Sequence, residues 1–378
     1  MVERPFGSIE EQFGKLSDPR RGRNVQHKLL DIIIIAICGM ICGADGWVEI
    51  ENFGRQKEVW LKKYLELPKG IPSHDTFGRV FARIDPEEFQ RSFIEWVQAI
   101  QEITQGQVIG VDGKKLRRSY DMSAGKRALY MVNAWAEANH MALGQRKVDE
   151  KSNEITAIPQ LLELLEIRGC IVTIDALGTQ KKIARTILSR EADYVLAVKN
   201  NQGKLYQDIR NLFEYDQRNE FQDAPYEYAK TVNKGHGRID VRQCWTTDDP
   251  EYLASIREYH KWPGLQSIAM IITKRITEQS ISSQTRFYIS SLPGDADQFL
   301  HAVRGHWGVE NGLHWVLDVA FDEDHSRVRK DHAPANLAVL RQMALNLLKQ
   351  EKTAKGGIKA KRLQAGWNEY YLLKVLSG

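Results

Sequence analysis

From Ser8 to about Gln105 apolar residues recur at intervals of three and four without strict alternation, which predicts an all-helical N-terminal domain over residues 1–105. The start of its last helix is written in the residues themselves. Asp85 as N-cap, Pro86 at the first helical position and Glu88 at the third form a capping-box arrangement ahead of the apolar stripe Phe89, Phe93, Trp96, Val97 and Ile100. Just upstream, Ser73 caps a short helix from His74 to Ile84, and the brief junction between the two predicts a helix-turn-helix. The longest apolar run, Ile32 to Ala44, is interrupted by Gly39 and Gly43 and falls short of the ~20 residues that cross a bilayer, so it predicts a buried helix.

After Gln105 the period shortens. Gln107 to Asp112, Ala128 to Glu137 and His140 to Val148 predict three successive strands, the last two joined by a turn at Ala138 and Asn139. A helix from Ile155 to Ile167, a strand from Cys170 to Asp175, a helix from Gln180 to Arg190 and a strand from Asp193 to Lys199 follow. The order βββ-α-β-α-β predicts an α/β fold over residues 106–202, a mixed sheet flanked by helices. Residues 203–292 read as a β-rich insertion: a polar helix, then runs around Tyr226 to Trp245, Gln266 to Thr273 and Thr285 to Ser291. Helical periodicity resumes over 293–350, the second part of the core, and residues 351–378 read as a basic C-terminal tail.

Composition narrows the class. A chain of 378 residues exceeds the ~150 of a typical domain, so more than one unit is expected. With 42% hydrophobic and 27% charged residues, disorder is excluded as the main state. Lys plus Arg is 53 against 49 for Asp plus Glu, a formal charge of +4 that is compatible with a polyanionic partner without requiring one. The four cysteines do not make a disulfide framework, and Cys38 and Cys42 have no neighbouring ligands to complete a zinc set. Glu3, Glu10 and Glu11 stand where a secretory signal would be basic and then apolar, so a cytoplasmic, nucleoid-associated protein without membrane contact is expected. No Gly-Lys pair is followed by Ser or Thr, and neither Gly-x-Ser-x-Gly nor His-Glu-x-x-His occurs, so an ATPase, an elbow-type hydrolase and a zincin each lack their signature.

Carboxylates stand where a folded core would not want them. Asp112 ends the apolar run VIGV and Asp175 ends IVTI, so if the two strands are neighbours both acids emerge at one sheet edge, where each raises the other's pKa unless a cation lies between them. A strand-end Asp is also an ordinary turn residue. Phe299, Val303, His306, Glu310, Leu313 and Leu317 step by threes and fours, which places Glu310 in a core-facing helical stripe. The structural alternative is a buried salt bridge from Glu310 to Arg304 or Arg341. Three acids offering only oxygen suit Mg²⁺ better than Zn²⁺, and a pair of such ions serves phosphoryl transfer on nucleic acid.

VIGVDGKKLRRS, DEKSNEITAIPQLLELL, IVTIDALGTQ, YVLAVKNNQG, the HGR of His236 to Arg238 and RGHWGVENGLHWVLDVAFDED resemble the successive motifs of the H-repeat-associated family of insertion-sequence transposases, from about Asp18 to near the C-terminus. The resemblance implies a DDE transposase with a ribonuclease-H-like catalytic core, with Asp112, Asp175 and Glu310 as its triad and as the ligands of two Mg²⁺, for which Mn²⁺ can substitute. It further implies cleavage and strand transfer at element ends, double-stranded DNA as partner and a homodimer that pairs two ends. The Tyr, Arg and Lys that the wider superfamily often carries around the glutamate are replaced here by Val303, His306 and Leu317. A non-catalytic, domesticated DNA-binding protein and a stand-alone nuclease are the rival readings.

Expected DNA contacts follow the basic residues. Lys114, Lys115, Arg117 and Arg118 come directly after Asp112, with Lys126 and Arg127 on the next strand. Lys199 and Asn201 leave the last core strand at the same sheet edge, Arg238 belongs to the HGR motif, and His306 lies one turn before Glu310. Arg20, Arg21 and Arg23 form another basic stretch, and the tail from Lys349 to Arg362 reads as a flexible DNA contact. Trp307 and Trp315 flank Glu310, and core packing is the expectation for both.

Overall fold

The computed structural model describes residues 5–22, 25–100, 105–120, 125, 127–149, 153–221, 225–235 and 237–377; Arg23, Lys126 and His236 lie outside the described residues. The N-terminal region is helical as its periodicity predicts: α1 (Gly7–Phe13), α2 (Leu29–Ile41), α3 (Trp47–Gln56), α4 (Glu58–Leu61), α5 (His74–Arg83) and α6 (Pro86–Ile100). Ser73 Oγ accepts the Thr76 amide at the start of α5, and Asp85 Oδ1 accepts the Glu87 amide at the start of α6. The capping box does not close, because Glu88 turns to the backbone N–H and hydroxyl of Ser17 instead.

The sheet begins with β1 (Val108–Lys115), β2 (Tyr130–Ala136) and β3 (Met141–Lys147), an antiparallel meander. Helix α7 (Glu154–Leu164) leads to β4 (Ile171–Ile174), and α8 (Lys181–Ser189) to β5 (Asp193–Val198); β4 lies parallel to both β1 and β5. Three antiparallel strands joined to two parallel ones form the ribonuclease-H-like mixed sheet that the resemblance implies.

Residues 203–292 contribute α9 (Gly203–Arg218), β6 (Glu227–Gly235), β7 (Arg238–Thr247), α10 (Pro250–Ala254), β8 (Ser267–Thr277) and β9 (Ile281–Ser290). Their strands are no separate layer. β9 pairs with β5, and the whole is one nine-stranded sheet in the order β3-β2-β1-β4-β5-β9-β8-β7-β6. The chain then runs through α11 (Ala296–Gly308), a π-helical turn at Val309–His314 and α12 (Trp315–Phe321) into α13 (Ala333–Gln350). α13 packs on α2, α5, α6 and β3, so the N-terminal helices and the sheet share one hydrophobic core.

The C-terminal segment corrects the expected flexible tail. It folds into α14 (Ile358–Trp367) and α15 (Glu369–Ser377); two of its basic residues, Lys361 and Arg362, serve the interior, while Lys352, Lys355 and Lys359 stay exposed. Arg362 is buried and donates to the carbonyls of Met40 (3.0 Å) and Ala44 (3.1 Å) at the C-terminal end of α2, where a cation complements the helix dipole. Lys361 is likewise buried and donates to the Leu348 carbonyl at 3.0 Å. Among the described residues, no helix is long and apolar enough to cross a membrane.

Candidate active site

Strand parity decides which side chains face α11. A Cβ on Gly110 would meet His306 and Val309, so Asp112 and Lys114, further along the same parity of β1, share that face, whereas Gly113 points at Glu154 on the other. On β4, Thr173 Oγ1 lies 3.2 Å from His306 Nδ1, and by the same alternation Asp175 emerges toward α11. Val111 is paired with Ile174, so Asp112 and Asp175 occupy adjacent positions on neighbouring parallel strands. Asp112 does not end its strand as expected, because β2 continues to pair as far as Lys115. Asp175 does make a turn: its Oδ1 accepts the amides of Leu177 (3.0 Å) and Gly178 (3.2 Å), which leaves the second oxygen uncommitted to that turn.

Glu310 arrives differently from the expectation. In an unbroken α-helix it would lie in the buried stripe, but the π-turn adds a residue to the repeat, burying Val309, Leu313 and His314 and leaving Glu310 exposed. It makes no salt bridge to Arg304, which reaches Asn233 at 3.3 Å, or to Arg341, whose guanidinium lies 3.6 Å from Glu323. The glycines around it are steric requirements. A Cβ at Gly312 would lie 2.7 Å from the buried Trp135 ring, one at Gly308 3.0 Å from the same indole, and one at Gly305 2.8 Å from Val108. Neither tryptophan lies in the expected core: Trp307, on α11 ahead of the π-turn, is 39% exposed with the Arg286 guanidinium 5.3 Å from its ring, and Trp315, after it, is 60% exposed.

Asp112, Asp175 and Glu310 thus line one cavity of about 240 Å³, together with Thr173, Lys199, Arg286, His306 and Trp307. Burial, followed by the neighbouring charges of Asp175, Glu154 and Glu310, pushes the Asp112 carboxyl up to about 7. No Lys or Arg forms an ion pair with any of the three acids among the described residues. Nor, among the described residues, does any group of three or more His, Cys, Asp and Glu side chains stand close enough to hold a metal ion. The three acids share a cavity without converging on one point. Their chemistry still suits a hard cation: oxygen donors only, the two aspartates partly buried, and mutually repelling charge with no Lys or Arg ion-paired to it among the described residues.

Among the expected DNA contacts, Lys199 and His306 line this cavity. Burial lowers the His306 pKa below the usual imidazole range, against the opposing pull of Asp175. Lys115 is exposed, and Arg117 is exposed beside Asp324 at 3.2 Å. Arg118 is half-buried, and its carbonyl accepts from Arg329. Arg238 sits on the β6–β7 hairpin, where Asp240 is shared by Arg238 (3.4 Å), Arg242 (3.7 Å) and Arg275 (2.8 Å). Lys114 is a correction. The Lys114 side chain is only 9% exposed and is held by Asp318 at 2.6 Å and Glu323 at 2.8 Å, so its charge is neutralised inside the protein. Asn201 is exposed, and its amide donates to the Ala176 carbonyl in the loop after Asp175.

Sequence reasoning missed four neighbours. Glu154, in the DEKSNEI run, begins α7 and is raised by burial, and Tyr130 hydrogen-bonds to it; together they form the wall over Gly113. His314, whose Nδ1 lies 3.6 Å from Asp112 Oδ2, is pushed down to about 4 by burial and by Lys114. Arg286 comes from β9, whose alternating pattern carries no signal that it borders a site.

The sequence matches the family described as Transposase DDE domain over residues 103–347 and that described as DDE_Tnp_1-associated over residues 10–97. It is 42% identical over 374 residues to "Putative transposase YncI" of Escherichia coli O157:H7, covering 98% of this chain and 94% of that protein. It is 38% identical over 374 residues to "H repeat-associated putative transposase YhhI" of Escherichia coli strain K12, covering 98% of each. Among solved structures, the piggyBac transposase synaptic complex with hairpin DNA aligns over 95% of this chain and 75% of that one, at 13% identity and a TM-score of 0.41. With the DDE domain spanning residues 103–347 and such relatives matched almost end to end, the chain belongs to the H-repeat-associated family of DDE-domain DNA transposases.

Proposed function

We propose that this transposase cleaves DNA at the ends of its insertion sequence and joins the freed strand to target DNA, both by in-line phosphoryl transfer at the cavity of Asp112, Asp175 and Glu310. One observation carries this reading: three carboxylates from distant stretches of chain line a single cavity, and their mutual repulsion is relieved by no ion-paired Lys or Arg among the described residues. Asp112, Asp175 and Glu310 would hold Mg²⁺ or Mn²⁺, and such ions activate an attacking oxygen and stabilise a leaving one.

The protein's own residues supply position and charge. Asp175 is held by its turn amides just past the end of β4, and Asp112 by the pairing of β1 with β2, where it lies opposite Asn133. Lys199 and Arg286, on the neighbouring β5–β9 edge of the cavity, are placed to meet phosphate oxygens. Lys115, Arg117 and Arg118 continue the positive surface at and beyond the end of β1, and Arg238 and Arg242 of β7 with Arg275 of β8 set three arginines against Asp240. A homodimer pairing two element ends belongs to the same reading, with the helical segment 1–105 contributing to DNA recognition and 106–202 with 293–350 forming the catalytic part.

The reading is tested by Asp112→Ala. This change is expected to abolish metal-dependent nicking of a plasmid carrying the element ends while end binding in a mobility-shift assay stays close to wild type. Nicking that survives in Asp112→Ala overturns the assignment, and a wild type that binds ends without nicking points to the non-catalytic alternative.

A further inference from the structure

Behind Asp112 lies a row of polar side chains that the proposed chemistry leaves unused: Gln145, Gln342, Asn133 and His314, with relative exposures of 2%, 1%, 3% and 8%. Their hydrogen bonds have a forced direction. Gln145 Nε2 donates to the Ala335 carbonyl at 3.1 Å, a backbone acceptor that decides which end of this amide is nitrogen. Gln145 Oε1 must therefore accept, and it does so from Gln342 Nε2 at 2.9 Å. The same Gln342 nitrogen donates to Asn133 Oδ1 at 2.8 Å, so the remaining end of Asn133 is its Nδ2 donor. That donor lies 3.2 Å from His314 Nε2. A ring nitrogen that accepts a hydrogen bond carries no proton. His314 is thus a neutral imidazole with its proton on Nδ1, the nitrogen that faces Asp112 Oδ2 at 3.6 Å.

Given the reading of Asp112 as a metal-holding carboxylate, we propose that His314 is its positioning residue: the amide row locks the Nδ1–H tautomer toward one carboxylate oxygen and leaves the other for the cavity. Asp112 needs such a donor because Asp175, Glu154 and Glu310 all repel it. The 3.6 Å approach is longer than a formed hydrogen bond, and a shift of under about 1 Å closes it. His314 is also the last residue of the π-turn that carries Glu310, and Lys114 on the strand of Asp112 donates to its carbonyl at 3.1 Å. One residue therefore ties the strand carboxylate and the helix carboxylate to a common frame.

The tautomer is read directly on wild-type protein labelled with ¹⁵N-histidine, by long-range ¹⁵N–¹H correlation, with the His314 signals assigned by their loss in His314→Phe. The expected result is a protonated Nδ1 and an unprotonated Nε2, and an Nε2–H tautomer overturns the proposal. Gln342→Leu frees the Asn133 amide to turn, and His314→Phe removes the donor. Both are expected to weaken Mn²⁺ binding, measured by electron paramagnetic resonance, by about 10- to 100-fold, the usual effect of losing a ligand's supporting partner. Affinity for element-end DNA is expected to stay unchanged in both. Mn²⁺ affinity equal to wild type in the two variants also overturns the positioning role. Asp112→Asn separates the underlying reading: if it binds Mn²⁺ as wild type does, the metal-holding assignment is what fails, while the wild-type spectrum still decides the tautomer.

Discussion

Gly312 shows how a single position holds the site together. The RGHWGVENG run announces its glycines in the sequence, but not the reason for them, because Trp135 is far away along the chain and meets them only once β2 and the Glu310 helix pack. A methyl at Gly312 would sit 2.7 Å from Trp135 Cζ2, and that indole is buried, so it has little room to yield. Gly312→Ala is expected to cost about 1–3 kcal/mol, as overpacked cores do, and to displace Glu310 with the turn that carries it. Chemical denaturation would show the first effect and end cleavage the second. Trp135→Phe in the same protein is expected to restore part of both, since it shortens the clashing ring and removes a buried indole N–H that finds no hydrogen-bond partner among the described residues. Equal losses with and without Trp135→Phe would mean that the contact is not the cause.

At the scale of elements, most of the helices and strands were legible because their periods are clear, and the two aspartates were legible because strand alternation carries them to one face. The π-turn was not. Its residues Val309–His314 keep an ordinary α-helical pattern of apolar positions, so the pattern extends the stripe through Phe299, Val303 and His306 to Glu310, and only the packing of Gly308 and Gly312 on Trp135 shows the extra residue. Lys114 was misread for a related reason: a basic residue beside an acidic centre invites a phosphate, yet its partners Asp318 and Glu323 come from the end of the same late helix and the turn beyond it. Lys114→Met leaves Glu323 buried and short of one of its cations, and breaking a buried pair in this way costs about 3–5 kcal/mol. The expected outcome is a large fall in stability, while the dependence of end binding on salt keeps its wild-type slope under conditions where the variant is folded. A phosphate contact would instead lower that slope by about one and spare stability. Lys115→Ala, on the exposed neighbour, is expected to show that second pattern.

For the molecule as a whole, the basic C-terminal segment is folded against the core, with Lys361 and Arg362 buried and Lys352, Lys355 and Lys359 on the surface. Composition places Lys352, Lys355, Lys359 and Lys361 in solvent, which holds for the first three, but it does not show that Lys361 is buried, that Arg362 reaches back to the end of α2 or that Tyr371 and Leu372 pack inside. Glu351 joins this segment to α13. Burial raises its carboxyl, but donors from the Thr353 side chain, Tyr371 (2.8 Å), and the Thr353 (2.6 Å) and Ala354 (3.3 Å) amides outweigh burial and hold it at about 2. In the unfolded chain the same group titrates near the ordinary glutamate value of about 4.5. Its folded pKa is depressed, so the stabilisation is fully present above about pH 4.5 and is lost as pH falls through about 2. That difference corresponds to roughly 3 kcal/mol, coupling the last two helices to the rest of the core. Glu351→Gln is therefore expected to lower unfolding free energy at pH 6 and to flatten its decline between pH 5 and pH 3, measured by urea unfolding at each pH. An equally steep decline in the variant would assign the acid sensitivity to other carboxylates. If instead Glu351→Gln left stability at pH 6 unchanged but weakened end binding, the segment would be the DNA-contacting tail that its composition suggests.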